Sequence, residues 1–138
     1  MNKGLGLILV VDDYPNWRNQ LKCILREDGH EIVTASNHID ALQELHNKEF
    51  DVVILDMRLV DDEKYNVQGI KLLKIIKERI PSTGAVILTG YPDPLHKKKA
   101  LDEYSADAYL CKVPEDENFD IEAFSNLVKK LVRKKQAG

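Results

Sequence analysis

The stretch LILVVDD at positions 7–13 decides the fold class, because a short apolar run leads directly into two consecutive acids. The run itself, Leu7–Val11, is typical of a strand that is buried on both faces of a sheet. Four similar runs follow along the chain: Ile32–Ala35, Val52–Leu55, Ala85–Leu88 and Ala108–Cys111. The sequence therefore predicts five buried strands.

Stretches with helical periodicity separate and follow these runs. Their apolar positions are Trp17, Leu21, Ile24, Leu25, then Ile39, Leu42, Leu45, then Ile70, Leu73, Ile76, Ile80, and last Ile121, Phe124, Leu127, Val128, Leu131, Val132. Pro15 suits the first turn of helix one and Gly29 its end, and Pro81 ends helix three. A weaker fourth helix is expected from Leu95 to Tyr104, starting near Asp93-Pro94.

The alternation of strands and helices predicts an α/β protein with one doubly wound, five-stranded parallel sheet and helices on both faces. We expect residues 1–138 to form a single domain with a core of about 6–133. A basic helix end and tail occupy 129–138. In such sheets, ligands bind outside the carboxyl ends of the strands.

Composition narrows the class of protein. The chain has 138 residues, of which 43% are hydrophobic and 31% charged, as in an ordinary soluble domain. Residues 127–138 carry five basic side chains and no acid, so the rest of the chain, with 15 basic and 23 acidic residues, has a net charge of −8. Because the basic residues gather at one helix end, we expect helix-end solvation rather than direct nucleic-acid binding. No segment is long enough to span a membrane, and Cys23 and Cys111 are expected to be reduced thiols.

Polar residues stand where four of the predicted strands end. Asp12 and Asp13 follow strand one, Asp56 follows strand three, Thr89 ends strand four, and Lys112 follows strand five. Three neighbouring carboxylates repel one another, and Mg²⁺ with its preference for oxygen ligands would relieve that repulsion. Asp56 stands alone after the central strand, so it is the natural nucleophile for an aspartyl-phosphate.

With these residues, the sequence resembles the receiver domain of two-component response regulators over nearly the whole chain. The resemblance implies the flavodoxin-like strand order 2-1-3-4-5 and a phosphorylation-dependent switch that accepts phosphoryl on Asp56. It further implies that Asp13 and Asp56 bind Mg²⁺ directly, that Asp12 acts mostly through water, and that the Arg58 carbonyl completes the protein ligands.

The resemblance also assigns the residues that respond to the phosphoryl group. Thr89 and Lys112 would contact it, and Tyr109 would turn inward when Thr89 moves. Arg58 and Tyr91 would flank the path of the hydrolytic water, and their size predicts slow self-dephosphorylation.

The partners that the resemblance implies are a histidine kinase or phosphotransfer protein and a downstream output protein or domain, in the cytoplasm. The implied output surface is helix four, strand five and helix five, and the same face allows a homodimer. No direct contact with nucleic acid or membrane is expected, and the domain is not expected to be an enzyme beyond its own phosphotransfer and dephosphorylation.

Two departures from the family pattern stand out. Val60 replaces the usual proline after the acceptor, and an acidic insertion at 61–66 delays the glycine to Gly69. The insertion fits either a solvated loop or a segment that gates the pocket. Val113 intervenes between Lys112 and the proline, so we expect a trans Lys112–Val113 bond.

Two alternatives remain open. One is a receiver-like scaffold that acts independently of phosphorylation. The other is a Mg²⁺-dependent phosphatase of the haloacid dehalogenase type, which also uses aspartyl-phosphate, but Arg58 stands where the second acid of its Asp-x-Asp motif belongs. A flavin carrier is disfavoured, because the strand ends offer carboxylates rather than a phosphate-binding loop.

Overall fold

The five predicted strands form one parallel sheet. A computed structural model describes residues 5–56, 68–90, 93–112 and 119–138. The strands run in the order β2-β1-β3-β4-β5, which confirms the predicted fold class. They are β1 (Leu7–Val11), β2 (Glu31–Ala35), β3 (Val52–Leu55), β4 (Gly84–Thr89) and β5 (Ala108–Cys111).

Helices cover both faces of the sheet. They are α1 (Pro15–Glu27), α2 (His38–Asn47), α3 (Gln68–Arg79), α4 (Pro94–Lys98) and α5 (Ile121–Ala137). Pro15 occupies the first turn of α1, and Gly29 ends the following turn with a φ of 94°, which favours glycine. No helix among the described residues is long and apolar enough to cross a membrane.

The fourth helix departs from the prediction of one helix from Leu95 to Tyr104. Asp93 caps its start by accepting from the Leu95 and His96 N–H groups, but the α-helix ends at Lys98 and continues as a π-helical turn, Lys99–Glu103. Of the residues in these two segments, only Ala100 is buried, so packing gives the helix little support. The weak apolar pattern in the sequence reflects this shallow packing.

Alternating side chains of the strands fill two cores. Leu9, Val53 and Ile87 belong to the core that includes α2 and α3 side chains. On the opposite face, Ile8 and Ile54 pack with residues of α1 and α5. The three inner strands, β1, β3 and β4, are buried on both faces, which explains why their sequences lack polar alternation. The prediction of five buried strands was wrong for β2 and β5, which are mostly half-buried because each lies at an edge of the sheet.

Part of the basic cluster on α5 is paired with acids elsewhere in the fold. The Lys129 ammonium lies 3.6 Å from Asp28, and that of Lys135 lies 3.8 Å from Glu49. Ser125 also donates a hydrogen bond to Asp28. These contacts tie α5 to the segment that follows α1 and to the segment that precedes β3.

Candidate functional site

Three carboxylates meet at the carboxyl edge of the sheet. The Asp12 N–H donates to the Ala35 carbonyl and the Asp56 N–H to the Val11 carbonyl, so the ladder continues one step beyond the strands and places both acids side by side. One carboxylate oxygen each from Asp12, Asp13 and Asp56 lies within 4.8 Å of the others. Asp12 and Asp56 are buried, and Asp13 is half-buried.

The Lys112 ammonium lies between two of these carboxylates. Its Nζ is 2.8 Å from Asp12 Oδ2 and 3.1 Å from Asp56 Oδ2, and the residue is buried. The Lys112 N–H donates to the Thr89 carbonyl at 2.8 Å, which fixes the lysine backbone at the end of β4. Burial by itself would lower the pKa of Lys112, but the Asp56 and Asp12 carboxylates outweigh it and hold the pKa above its usual value. The lysine is therefore a fixed cation at neutral pH.

Two further predicted site residues, Thr89 and Tyr109, lie on the neighbouring strands β4 and β5. Thr89 is fully buried as the last residue of β4, and it pairs in register with Cys111 of β5. Tyr109 is half-buried, and its hydroxyl accepts a hydrogen bond from the Asp93 N–H at 3.2 Å, at the start of α4. Burial raises the pKa of Tyr109 despite that hydrogen bond. The tyrosine thus connects β5 to the beginning of α4.

The start of the first helix and the residue before it bring further side chains to the site. Asp12 Oδ1 accepts from the Tyr14 N–H at 2.9 Å, and Arg18 Nη1 donates to the Asp12 carbonyl at 2.8 Å. The Lys112 Nζ lies over the rings of Tyr14 and Trp17, 5.6 Å from each centroid. Trp17 is half-buried, and it both packs on the core beneath α1 and lies at the edge of the pocket. The only signal for them in the sequence is spacing, since all three lie within five residues of the acidic pair.

Several predicted features lie outside the described residues. These are Arg58, Tyr91, the insertion at 61–66 and Val113, the second residue of the Lys112–Val113 bond. Their assigned roles remain predictions.

The donor chemistry of the site fits Mg²⁺. Three carboxylates and one ammonium leave a formal charge of −2, and every potential ligand is a hard oxygen. Among the described residues, no other group of three or more histidine, cysteine or acidic side chains is close enough to hold a metal ion. Asp12, Asp13 and Asp56 are the residues that would hold the ion.

The parallel sheet in this order defines a doubly wound α/β protein, and the acids at its carboxyl edge form a group that could hold a hard cation. Residues 8–129 match the family described as "Response regulator receiver domain". The chain belongs to the response regulator receiver domain family, as the sequence predicted.

Curated relatives and solved structures agree with this assignment. The transcriptional regulatory protein ZraR of Klebsiella oxytoca is 35% identical over 105 residues, which cover 76% of this chain and 22% of ZraR. A CheY-like receiver domain protein of Methanospirillum hungatei has a TM-score of 0.80 at 26% identity, covering 97% of this chain and 99% of that chain. The response regulator TrrA of Thermotoga maritima, solved in complex with Mg²⁺-BeF, has a TM-score of 0.71 at 34% identity, covering 91% and 97% of the two chains.

Family membership establishes the general role of the domain. Receiver domains are signalling switches that interact with histidine kinases and output domains, and they bind Mg²⁺ at an acidic pocket. The relatives are regulators rather than classical enzymes, which disfavours the phosphatase alternative. The chain spans about a fifth of the length of the curated relatives it matches.

Proposed function

We propose that this chain is a phosphorylation-dependent signalling switch that accepts a phosphoryl group from a histidine kinase or phosphotransfer protein onto Asp56. The observation that carries the proposal is the convergence of three carboxylates and the Lys112 ammonium at one edge of the sheet. Like other response regulators, it would meet its partners in the cytoplasm.

Asp56 is the acceptor in this proposal because it follows the central strand and lies within the group of carboxylates. One Asp56 oxygen forms a bond to phosphorus as the P–N bond of the donor phosphohistidine breaks, and the imidazole leaves with the electron pair. Asp12, Asp13 and Asp56, with the Arg58 carbonyl, would hold Mg²⁺. When bound, the ion supplies charge neutralisation for the phosphoryl oxygens.

Lys112 and Thr89 then receive the new group. The Lys112 ammonium already contacts Asp56, so a phosphoryl group on that side chain enters an existing ion pair rather than an empty position. The Thr89 hydroxyl, at the end of the adjacent strand, donates to a second phosphoryl oxygen. Charge-assisted hydrogen bonds of this kind are about twice as strong as neutral ones.

In this proposal, Tyr109 links phosphorylation of Asp56 to the surface formed by α4, β5 and α5. Its hydroxyl accepts from the Asp93 N–H at the start of α4, and inward rotation of the ring would break that contact. The face formed by α4, β5 and α5 would change as a result. This face is the proposed contact for an output protein or domain, or for a second copy of the chain.

The test is phosphoryl incorporation from acetyl phosphate, followed by intact mass with and without Mg²⁺. Wild type should gain one phosphoryl group only with Mg²⁺, Asp56→Ala should gain none, and Asp102→Asn, an exposed acid in the π-helical turn, should behave as wild type. Incorporation in Asp56→Ala would overturn the assignment of the acceptor. A wild-type chain that stays unmodified while it binds Mg²⁺ would favour the phosphorylation-independent scaffold.

A further inference from the structure

The Lys112 ammonium has aromatic as well as acidic neighbours. In addition to its two carboxylates, it lies over the rings of Tyr14 and Trp17 at 5.6 Å from each centroid. A cation within about 6 Å of a ring centroid is attracted by the negative face of the ring. Four side chains therefore define the position of one ammonium group.

The backbone of Tyr14 and the ring of Trp17 are each held by further contacts. The Tyr14 N–H donates to Asp12 Oδ1, which fixes the Tyr14 backbone at the turn into α1. The edge contact between Trp17 and Phe119 has a centroid distance of 5.4 Å and an interplanar angle of 88°, and Phe119 in turn packs on Phe124 at 5.4 Å. Because Phe124 is buried in the core beneath α5, the row Trp17–Phe119–Phe124 fixes the tryptophan ring from the side of α5.

The chemistry of the pocket explains why rings suit this position. A lysine has a long flexible stem, and phosphoryl transfer depends on correct placement of the groups that meet the phosphoryl oxygens. A further carboxylate would also hold the ammonium, but it would add negative charge to a pocket that already has a formal charge of −2. An aromatic face attracts the cation without repelling an incoming phosphoryl group.

We propose that Tyr14 and Trp17 are positioning residues for Lys112, which hold its ammonium beside Asp56 so that it meets the phosphoryl group on arrival. This inference rests on the proposed function, because it assigns the two rings a part in phosphoryl capture. The row Trp17–Phe119–Phe124 would then support phosphoryl capture as well as core packing.

The kinetic test compares the rates of phosphorylation by acetyl phosphate at saturating Mg²⁺. Trp17→Leu and Tyr14→Leu should each lower the rate roughly two- to tenfold, the size of one cation–π contact, and the phenylalanine variants should recover most of it because they keep a ring face. Mg²⁺ affinity should stay unchanged, since the carboxylates are untouched. Ile24→Ala is the matched control, because Ile24 is a half-buried residue of α1 that packs on the same core.

A second measurement reports on the lysine itself. The Lys112 Cε–H signals of the unphosphorylated protein, assigned with Lys112→Arg, should carry a ring-current shift that shrinks in Trp17→Leu and persists in Ile24→Ala. Equal rates in wild type and both leucine variants, an equal loss in Ile24→Ala, or an unmoved Lys112 signal would overturn the positioning role. Failure of the proposed function is distinct, because wild type and all variants would then remain unphosphorylated.

Discussion

The substitution Asp13→Asn measures how much repulsion among the three carboxylates lowers the free energy of unfolding. One carboxylate oxygen of Asp13 lies within 4.8 Å of one from Asp12 and one from Asp56. Two unit charges at that separation repel by about 1 kcal/mol in a water-like medium and by about 3.5 kcal/mol at an effective dielectric of 20. Asp13 meets two such charges, and the Lys112 ammonium that contacts both offsets about one of them.

The net repulsion on Asp13 is therefore about that of one pair of charges. Because Asp13 is half-buried and partly in contact with water, the value for a water-like medium, about 1 kcal/mol, applies. We expect Asp13→Asn to raise the free energy of unfolding by about 1 kcal/mol in metal-free buffer. Saturating Mg²⁺ should reverse the order. An ion at 100 times its dissociation constant stabilises the native state by about 2.7 kcal/mol, and a variant that lacks one ligand gains less.

The assay is denaturant unfolding of both proteins in chelator and in saturating Mg²⁺. Glu31→Gln controls for net charge, because it removes one exposed negative charge at the amino end of β2, opposite the carboxyl edge that holds the site. A variant less stable than wild type in metal-free buffer would refute the argument from repulsion. An advantage that persists undiminished in saturating Mg²⁺ would refute the assignment of Asp13 as a ligand.

Three other predictions concern pH, signal lifetime and metal binding. Burial lowers the pKa of His30, whose Nδ1 accepts a hydrogen bond from the Gly6 N–H, so the folded state favours the neutral imidazole. The free energy of unfolding should therefore be highest above about pH 6.5 and fall at lower pH. Denaturant unfolding at several pH values should show a flatter profile for His30→Asn, whereas the exposed control His46→Asn should keep the wild-type profile. Phosphorylated wild type should lose its phosphoryl group slowly, and the double variant Arg58→Asn/Tyr91→Ala should decay faster; equal or slower decay would show that these side chains do not shield the phosphate. Trp17, the single tryptophan, lies beside the pocket, so saturating Mg²⁺ should change its emission; unchanged emission, with binding confirmed by calorimetry, would contradict this.

Apolar runs in the sequence decided which strand bounds could be predicted. Three strands have the predicted bounds, Leu7–Val11, Val52–Leu55 and Ala108–Cys111, and in each of them a charged residue directly follows the apolar run. The fourth helix begins at Pro94, as predicted, but its second half, Lys99–Glu103, is a π-helical turn that no periodic apolar face in the sequence indicates. A helix with only one buried residue has a weak periodic pattern of apolar residues, so its type and bounds are hard to predict from the sequence.

The site was predictable to the extent that topology alone determines it. The carboxyl ends of parallel strands meet at one edge, so Asp12, Asp56 and Lys112 had to lie near one another. That Lys112 contacts both acids at once depends on side-chain geometry, which strand order does not specify. The contact of Phe119 with Trp17 joins residues far apart in the sequence, and neither pattern nor spacing indicates it.

The position of the phosphoryl group tests the central claim most directly. Protein incubated with Mg²⁺ and acetyl phosphate is reduced with borohydride, which converts an aspartyl-phosphate to homoserine, and is then digested and mapped by peptide mass. The account predicts homoserine at position 56, with Asp12 and Asp13 left intact. Homoserine at position 12 or 13, or no homoserine at any of the three, would contradict it.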